Sequence, residues 1–326
     1  MARFRPNAIS ASVSIRKVIV TAVLAILAGI LFTAPPARAQ QPSPRDAVVK
    51  QIAPDLYFLF DFDGSNCVFL VTDEGVLLID TRTHPREGRD LLERIRKVTD
   101  KPVKWVINSH FHGDHHMGNI VFKELGATFV AQEETARIMA RVQPKEMARR
   151  VDGFAKRGFD PVEVKLVLPD VTFNDRMTIR LGGREVRLFY LGPGQQAGDT
   201  FVAFPHARAL FTPGAFAKHS MPNMLFTPSV ENWIKLLDEV AAMDVDAILP
   251  AHGDVATRAD AKELAAMLAD EYATVKDAVN RGVTLDQAIA TLTFPQYKDW
   301  RNYARLQGEI KALYELIGTG KRSYLE

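Results

Sequence analysis

The feature that most constrains this chain is a histidine-rich stretch, residues 110–119, which reads His-Phe-His-Gly-Asp-His-His-Met-Gly-Asn. Four imidazoles and one carboxylate fall within seven consecutive positions of this stretch. Imidazole nitrogens and carboxylate oxygens are ligands that zinc accepts, and hydrolytic zinc sites keep one coordination position open for water. The stretch therefore predicts a metal centre.

The residues before this stretch indicate where the metal centre lies in the fold. Residues 103–108 form a β-branched and aromatic run, which predicts a strand that ends just before His110. Active sites collect at the carboxyl ends of strands in α/β architectures. In an extended loop His110 and His112 project to the same side, and Asp114 and His115 face a neighbouring position. The alternative is a solvated histidine-rich turn, but the ordered spacing favours a metal site.

At this stretch the chain resembles the metallo-β-lactamase superfamily. The family signature His-x-His-x-Asp-His matches His110, His112, Asp114 and His115. The resemblance extends from about Val48 to Gly253. It implies an α+β fold, a four-layer αββα sandwich with up to two zinc ions in a shallow groove between the sheets. The superfamily acts on many substrates, so the resemblance alone does not identify the reaction.

The resemblance implies ligands for two metal sites, and the first set is incomplete in this chain. The family's first site takes both histidines of His-x-His and a third from a Gly-His-Thr-x-Gly-Asp turn. The corresponding turn here runs from Gly194 to Asp199 and has Gln195 at the ligand position. A carboxamide oxygen is a weaker donor to zinc than an imidazole nitrogen. We therefore expect Gln195 to be a weak ligand and the first site to be compromised.

The second metal site keeps its expected ligands. The resemblance implies Asp114, His115 and a late histidine, here His252. The strand that should supply a carboxylate bridging both ions has Gly214 at that position. One subclass of the family uses an Asp-His-His second site without this bridge. Because three protein ligands and a water suffice for a catalytic zinc, we expect one zinc ion rather than two.

Three further residues lie near the expected site. His219 is in a loop that borders the groove in relatives, and His84 follows another strand end near the site; each could bind substrate or replace a lost ligand. It is an equally good interpretation that each is an ordinary polar residue of a loop. Asp80 matches a family carboxylate that supports the metal loop, and such a group orients the ligating imidazoles.

The first 39 residues predict an export signal. Basic residues precede an apolar run from Val18 to Phe32, and the small-residue pattern at residues 37–39 predicts cleavage after Ala39. The alternative is an uncleaved anchor, although the run is shorter than the roughly 20 residues of a spanning helix. The mature protein is therefore expected to be periplasmic or secreted, without stable membrane insertion.

The charge of the mature chain argues against nucleic acid as its partner. Residues 1–39 contain five of the 41 basic side chains and none of the 39 acidic ones, so the mature chain has a net charge of −3. Phosphate binding relies on clustered lysine and arginine. A helix predicted over residues 132–158 does carry several arginines, among them Arg150. A solvated helix face explains them, and a strip that faces the substrate is the alternative. A small-molecule substrate is the expected partner.

The chain after the signal predicts one sandwich and a helical extension. Residues 40–257 contain two passes of strands, a helix, another strand and a histidine-bearing loop, which two packed sheets would bring together. Residues 258–326 predict C-terminal helices whose aromatic side chains pack on the sandwich or on a second copy of the chain in a homo-oligomer. Cys67 is the only cysteine, so stability rests on the core rather than on an internal disulfide.

These features predict an exported zinc-dependent hydrolase. A zinc ion would lower the pKa of its water from about 15.7 towards about 7. Asp114 would orient that water and shuttle its proton. Candidate substrates contain an ester, lactone, thioester or β-lactam bond. The alternative is a binding protein that keeps a partial metal site but has lost the chemistry, with Gln195 and Gly214 marking that loss.

Overall fold

A computed structural model gives the structure of residues 47–62 and 64–320. The predicted signal peptide, residues 1–39, lies outside these residues, as does its cleavage site. None of the helices that these residues form combines the length and the apolar character needed to cross a membrane.

The described residues form two β-sheets. The strands of the first sheet are β1 (Val48–Ala53), β2 (Leu56–Phe60), β3 (Cys67–Thr72), β4 (Gly75–Ile79), β5 (Val103–Ile107), β6 (Thr128–Gln132) and β7 (Val171–Phe173). Those of the second sheet are β8 (Arg176–Leu181), β9 (Arg184–Phe189), β10 (Phe201–Phe204), β11 (Ala209–Ala217) and β12 (Ala247–His252).

Helices connect these strands and follow the last of them. They are α1 (Pro85–Arg96), α2 (Gly113–His116), α3 (Asn119–Lys123), α4 (Glu133–Lys156), α5 (Val230–Ala242), α6 (Arg258–Asn280), α7 (Leu285–Thr291) and α8 (Leu306–Thr319). Single 3₁₀ turns lie at Pro161–Glu163, Pro205–Ala207, Met224–Phe226, Pro295–Tyr297 and Tyr303–Arg305.

Both sheets mix antiparallel and parallel pairing. The first has the order β1-β2-β3-β4-β5-β6-β7, antiparallel up to β4 and parallel from there on. The second has the order β12-β11-β10-β9-β8, with a parallel pair of β11 and β12. Parallel neighbours need a crossover, which α1 supplies between β4 and β5 and α5 between β11 and β12. The carboxyl ends of β4 and β5 therefore lie side by side.

Three apolar clusters separate the layers of the fold. Between the sheets, Phe58 of the first packs in one cluster with Phe211 of the second. On the outer face of the first sheet, α1 buries Leu91. On the outer face of the second, Trp233 of α5 and Leu264 of α6 share a cluster. The predicted four-layer αββα sandwich is confirmed.

The C-terminal helices add to the outer layer of the second sheet. Helix α6 lies against α5 and α8 lies against α6. Four aromatic side chains of this extension pack in or against the apolar cluster that contains Trp233: Phe294, Tyr297, Trp300 and Tyr303. Two carboxyl groups, Glu271 of α6 and Glu309 of α8, are buried among these helices. None of their four oxygens has a hydrogen-bond partner within the described ranges.

Two strands of the first sheet, β6 and β7, were not predicted from the sequence. Strand β6 runs into helix α4 without an intervening turn residue, and β7 has only three residues. Such short runs carry little periodic signal of their own. Their places in the sheet follow from the parallel pairing of β6 with β5 and of β7 with β6, contacts that local sequence does not encode.

Candidate metal centre

The predicted metal ligands lie on two loops where strands end. The first loop follows β5 and carries His110 and His112, and the one-turn helix α2 after it contains Asp114 and His115. The second loop begins at the last residue of β12, His252. The first loop belongs to the first sheet and the second loop to the second sheet, so the site forms where the two sheets meet.

Asp114, His115 and His252 bring three ligand atoms together. His115 Nε2 lies 3.0 Å from His252 Nε2. Asp114 Oδ2 lies 3.3 Å from the first of these nitrogens and 3.2 Å from the second. His115 and His252 are 137 positions apart in the chain, so only the folded protein contains this triangle. The three atoms form a candidate cation site.

Hydrogen bonds behind the triangle decide which nitrogen of each imidazole carries the proton. His115 Nδ1 lies 2.8 Å from Asp80 Oδ2, and His252 Nδ1 lies 3.0 Å from the carbonyl oxygen of Gly64. A carboxylate and a carbonyl only accept hydrogen bonds, so Nδ1 is the donor in both rings. In the neutral rings both Nε2 atoms then direct lone pairs at each other and at Asp114. Three electron-pair donors in this arrangement can hold one cation between them.

The electrostatics of the triangle also favour a positive charge. Burial opposes a charged His115, but the carboxylates of Asp114 and Asp80 outweigh burial and raise the pKa of His115 to about 10. Burial opposes an ionised Asp114 as well. Interactions with His115 and His252 outweigh it and hold the pKa of Asp114 well below its ordinary value. A divalent cation would satisfy both effects, because it binds the carboxylate and the neutral imidazoles together.

The triangle has the dimensions of a zinc site. Tetrahedral zinc with bonds of about 2.0–2.1 Å places neighbouring ligand atoms about 3.3 Å apart. The observed separations of 3.0, 3.2 and 3.3 Å are close to this value. The side chains of Asp114 and His252 are 25% and 40% exposed, so the site opens towards solvent on one side. Three ligands and one open side are what a catalytic zinc requires.

The first subsite, formed around His110 and His112, contains neutral groups. His110 Nδ1 lies 2.8 Å from Ser109 Oγ, whose own proton goes to Asp80 Oδ2 at 2.6 Å, so His110 keeps its lone pair on Nε2. Nε2 of His110 and of His112 are buried without a hydrogen-bond partner in the described part of the chain. Burial lowers the pKa of both imidazoles, that of His112 to about 3.

Gln195 fills the space that a side chain at position 214 would need. An ideal Cβ on Gly214 would lie 2.3 Å from Gln195 Oε1 and 3.2 Å from His110 Nε2. Gly214 does not have a positive φ, so a residue with a side chain could adopt its backbone conformation. The glycine is therefore required for space. The absence of a side chain at Gly214 thus leaves room for the carboxamide of Gln195, which lies beside the first subsite.

Asp80 holds the first loop from behind. Its Oδ1 accepts a hydrogen bond from the backbone N–H of Ser109 at 2.8 Å, and its Oδ2 accepts from Ser109 Oγ and His115 Nδ1 at 2.6 and 2.8 Å. The Asp80 side chain is fully buried at the end of β4. These contacts fix the orientation of His115, the role that such second groups play in metal sites.

The loop between β2 and β3 also supports the site, which the sequence did not reveal. Asn66 Nδ2 donates to the carbonyl oxygens of Pro250 and Gly253, at 2.8 and 2.6 Å, on either side of the β12 terminus. Ser65 Oγ donates to the carbonyl oxygen of Asp114. The loop therefore joins both ligand-bearing loops. Its partners lie far along the chain, so no local pattern marks these two side chains.

Two other side chains at the site have no distinguishing sequence signal. Arg150 of α4 has its Nη2 3.6 Å from Asp114 Oδ1. Phe226, in the 3₁₀ turn after β11, packs on the ring of His112 with centroids 4.8 Å apart. Arg150 is one of several basic residues on a long helix, and Phe226 is one of 19 phenylalanines. Only the folded chain shows that both border the ligands.

Gly118 lets the metal loop approach the end of β4 closely. An ideal Cβ on Gly118 would lie 2.0 Å from the carbonyl oxygen of Thr81, a backbone atom that cannot move aside. The contact is held by backbone hydrogen bonds from Gly118 to Arg82 at 3.2 Å and from Thr81 to His115 at 2.7 Å. The glycine after the histidines thus seats the loop against the strand that carries Asp80.

His84 and His219, proposed above as substitute ligands, have other partners in the structure. His84 caps α1 and its Nε2 lies 2.8 Å from the carbonyl oxygen of Asp160. His219 is half-exposed and its Nε2 lies 2.8 Å from Glu263 Oε2 of α6. Neither imidazole belongs to the triangle of Asp114 with its two histidines.

The structure is an αββα sandwich of two mixed sheets between helices, with histidines and a carboxylate meeting at the strand ends in a candidate metal centre. Residues 60–252 match the family model of the metallo-β-lactamase superfamily. Since the match covers more than half of the chain, this protein belongs to the metallo-β-lactamase superfamily, whose members are mostly metal-dependent hydrolases.

Similar proteins include enzymes with different substrates. A linear primary-alkylsulfatase from Pseudomonas sp. (strain ATCC 19151) is 24% identical over 293 residues, 77% of this chain and 52% of that protein. A type 2 metallo-β-lactamase from Elizabethkingia meningoseptica is 27% identical over 147 residues, 45% of this chain and 50% of that protein. The solved structure of the stereoselective inverting sec-alkylsulfatase Pisa1 from Pseudomonas sp. has a TM-score of 0.71 at 20% identity, covering 82% of this chain and 50% of that one. The chain thus spans about half the length of these relatives.

Proposed function

We propose that this protein is an exported hydrolase of small molecules that uses one zinc ion held by Asp114, His115 and His252. The bond to be broken is an ester, lactone, thioester or β-lactam. The observation that carries the proposal is the triangle of ligand atoms 3.0–3.3 Å apart, in which both imidazole protons are fixed on the far side of the ring. Export rests on the signal sequence predicted in residues 1–39.

The side chains around the triangle have separate roles in this reaction. Zinc, when bound, acts as a Lewis acid and makes hydroxide available near neutral pH. Asp114 orients the attacking water and carries its proton towards the leaving group. Asp80 and the carbonyl of Gly64 keep the two imidazoles in the tautomer that presents Nε2.

One zinc ion suits the ligands better than two. The triangle contains a carboxylate, which offsets part of the charge of a dication, whereas His110, His112 and Gln195 are neutral. Two dications about 3.5–4 Å apart repel each other strongly unless anionic ligands lie between them. Gly214 supplies no such ligand, and Gln195 Oε1 occupies the space where one would begin. The first subsite therefore favours water or a polar part of the substrate.

The zinc content of variants at positions 195 and 214 tests this count. We expect about one equivalent of zinc in the wild-type protein. Gln195→His should hold more, because a third imidazole completes the ligands of the first metal site. Gly214→Asp alone should not raise the content, since Gln195 occupies the space for its side chain. The double variant should approach two equivalents, as measured by inductively coupled plasma mass spectrometry. A double variant that stays at one equivalent would contradict the placement of Gln195.

The relatives widen the range of substrates to be tested. Two of them are named alkylsulfatases and one is a β-lactamase. Sulfate esters therefore join carboxylic esters, lactones, thioesters and β-lactams in the panel. A binding protein with a degenerate metal site is the second candidate, and the neutral first subsite with Gln195 and Gly214 is the observation that favours it.

Metal analysis and activity of the wild-type protein separate the two candidates. The mature protein, reconstituted with zinc and dialysed, is expected to hold about one equivalent and to hydrolyse at least one class in the panel. A chelator should abolish turnover and added zinc should restore it. Zinc without turnover would support the binding protein. Absence of zinc after reconstitution would refute the metal site itself.

A further inference from the structure

A buried ion pair joins two loops that lie behind the candidate metal centre. Asp61 follows β2, and Arg82 lies in the turn after β4. Arg82 Nη2 donates a hydrogen bond to Asp61 Oδ2, and the two side chains are only 8% and 12% exposed. Nε and Nη1 of Arg82 have no hydrogen-bond partner in the described part of the chain, so Asp61 is the carboxylate that binds this guanidinium there. Separating a buried pair leaves an uncompensated charge, so the pair holds the two loops together.

On the side of Asp61, the pair holds the loop that orients His252. Asp61 Oδ1 accepts a hydrogen bond from the backbone N–H of Gly64 at 3.0 Å. The backbone N–H of Asp61 donates to Asn66 Oδ1 at 2.9 Å, so Asp61 also contacts the side chain that binds both sides of the β12 terminus. The carbonyl oxygen of Gly64 accepts from His252 Nδ1 at 3.0 Å. The position of Asp61 therefore sets the position of the group that fixes the tautomer of His252.

On the side of Arg82, the pair holds the turn that orients His115. Asp80 and Arg82 both have a left-handed backbone, with φ of 62° and 72°. Residues with a side chain adopt this conformation at a cost, and it persists where surrounding contacts hold it. Asp80 Oδ2 lies 2.8 Å from His115 Nδ1. The carbonyl oxygen of Arg82 accepts from the N–H of Gly118 at 3.2 Å. The buried guanidinium therefore helps to hold a strained turn against the loop that carries His115.

We propose that Asp61 and Arg82 are positioning residues that act as one unit and keep the imidazoles of His115 and His252 facing each other. The proposal rests on the function proposed above, because these imidazoles are the proposed zinc ligands. Asp80 and the carbonyl of Gly64 contact the two imidazoles, and the ion pair joins the two segments that carry these contacts. The effect of the pair on a metal ion passes through them.

Amide hydrogen exchange in the metal-free protein tests the link between the loops without zinc. Arg82→Gly suits the left-handed backbone of this position and removes the guanidinium. It should speed exchange of the Gly64 amide, on the opposite loop, by about tenfold or more, as expected when a hydrogen bond to a charged group is lost. Asp61→Asn should likewise speed exchange of the Gly118 amide. Each effect crosses from one loop to the other, which a purely local role of either side chain would not produce.

The controls for the exchange experiment use the same two loops. Arg89→Gln removes an exposed ion pair of α1 with Glu163, and both amides should exchange as in wild type. If a single variant fails to fold because a charge is left unpaired, the double variant Asp61→Asn/Arg82→Gly decides. It leaves no member of the pair charged and keeps an acceptor for the Gly64 N–H. Unchanged exchange at Gly64 in a folded Arg82→Gly or double variant would overturn the proposal.

Zinc affinity and the spectrum of the cobalt(II)-substituted protein test what the link does for the ligands. Changes in groups that bond directly to ligands cost about 10–100-fold in metal affinity, so a pair one step behind them should cost about tenfold. Arg82→Gly and the double variant should lose the same amount, because the pair acts as one unit. The visible absorption of cobalt(II), which reports ligand geometry, should shift in both.

The metal measurements separate this proposal from the proposed function. Wild-type zinc affinity together with an unchanged cobalt(II) spectrum in Arg82→Gly would overturn the positioning role. A wild-type protein that binds neither metal would refute the proposed function instead, and amide exchange at Gly64 would then decide the positioning role by itself.

Discussion

Replacing Asp114 by alanine is expected to remove both zinc binding and hydrolysis. Asp114 supplies the anionic ligand atom of the triangle, 3.3 and 3.2 Å from the two imidazole nitrogens. Changes that only touch groups behind the ligands cost about 10–100-fold in metal affinity, so loss of a ligand should cost at least about 100-fold. Turnover should fall by about 10³-fold or more, since the same carboxylate handles the proton.

Asp114→Asn separates the two roles of this side chain. Its carboxamide oxygen can still occupy the ligand position weakly, but it cannot carry a proton at neutral pH. We therefore expect Asp114→Asn to retain more zinc than Asp114→Ala and to be nearly as inactive. His206→Ala is the control, because His206 lies outside the site and bonds to Asp55 at 3.1 Å. Full zinc content and turnover in Asp114→Ala, with an unchanged circular dichroism spectrum, would refute the proposed site.

The buried pair Glu271 and Glu309 should make the protein less stable as the pH rises. Burial raises the pKa of Glu271 to about 8 and that of Glu309, which also interacts with Glu271, to about 9, from an ordinary value of 4.5. Between pH 4.5 and these raised values, the two carboxyl groups are deprotonated in the unfolded chain and still protonated in the folded chain. The stabilisation is therefore complete below pH 4.5 and is lost as the pH rises through 8 to 9.

Thermal unfolding at pH 5, 7 and 9 measures this effect. The free energy of unfolding should fall by at most about 1.4 kcal/mol per pH unit for each group, so the wild-type Tm should be clearly lower at pH 9 than at pH 5. The double variant Glu271→Gln/Glu309→Gln has neutral side chains of the same size, and its Tm should fall less. Glu315→Gln is the control, on an exposed position of α8. An identical fall in the double variant and in wild type would contradict the prediction.

The sequence predicted the parts of the site that local spacing encodes. His110, His112, Asp114 and His115 are close in the chain, and the preceding strand places them at a strand end whatever the rest of the fold does. His252 could be added because the second half repeats the order of elements that ends in a histidine-bearing loop. The family resemblance identified Gln195 and Gly214 as the two positions at which the chain departs from the family's metal ligands.

What the sequence could not predict depends on contacts between distant segments. Asn66 reaches the β12 loop across 184 residues, and its role is visible only when the two loops meet. Arg150 became distinct from the other arginines of its helix because α4 crosses the metal loop at that point. The relation between Gln195 and Gly214 is likewise spatial, since a missing Cβ and a carboxamide share one volume.

The separation of the candidate ligands along the chain has a consequence for when the site could bind a metal ion. Asp114 and His115 are synthesised well before His252, which arrives 137 residues after His115 at the end of the last strand. An early segment alone would present a loose donor set, because the closing imidazole is missing. A metal ion at this site would therefore bind late, after both sheets have been completed and docked.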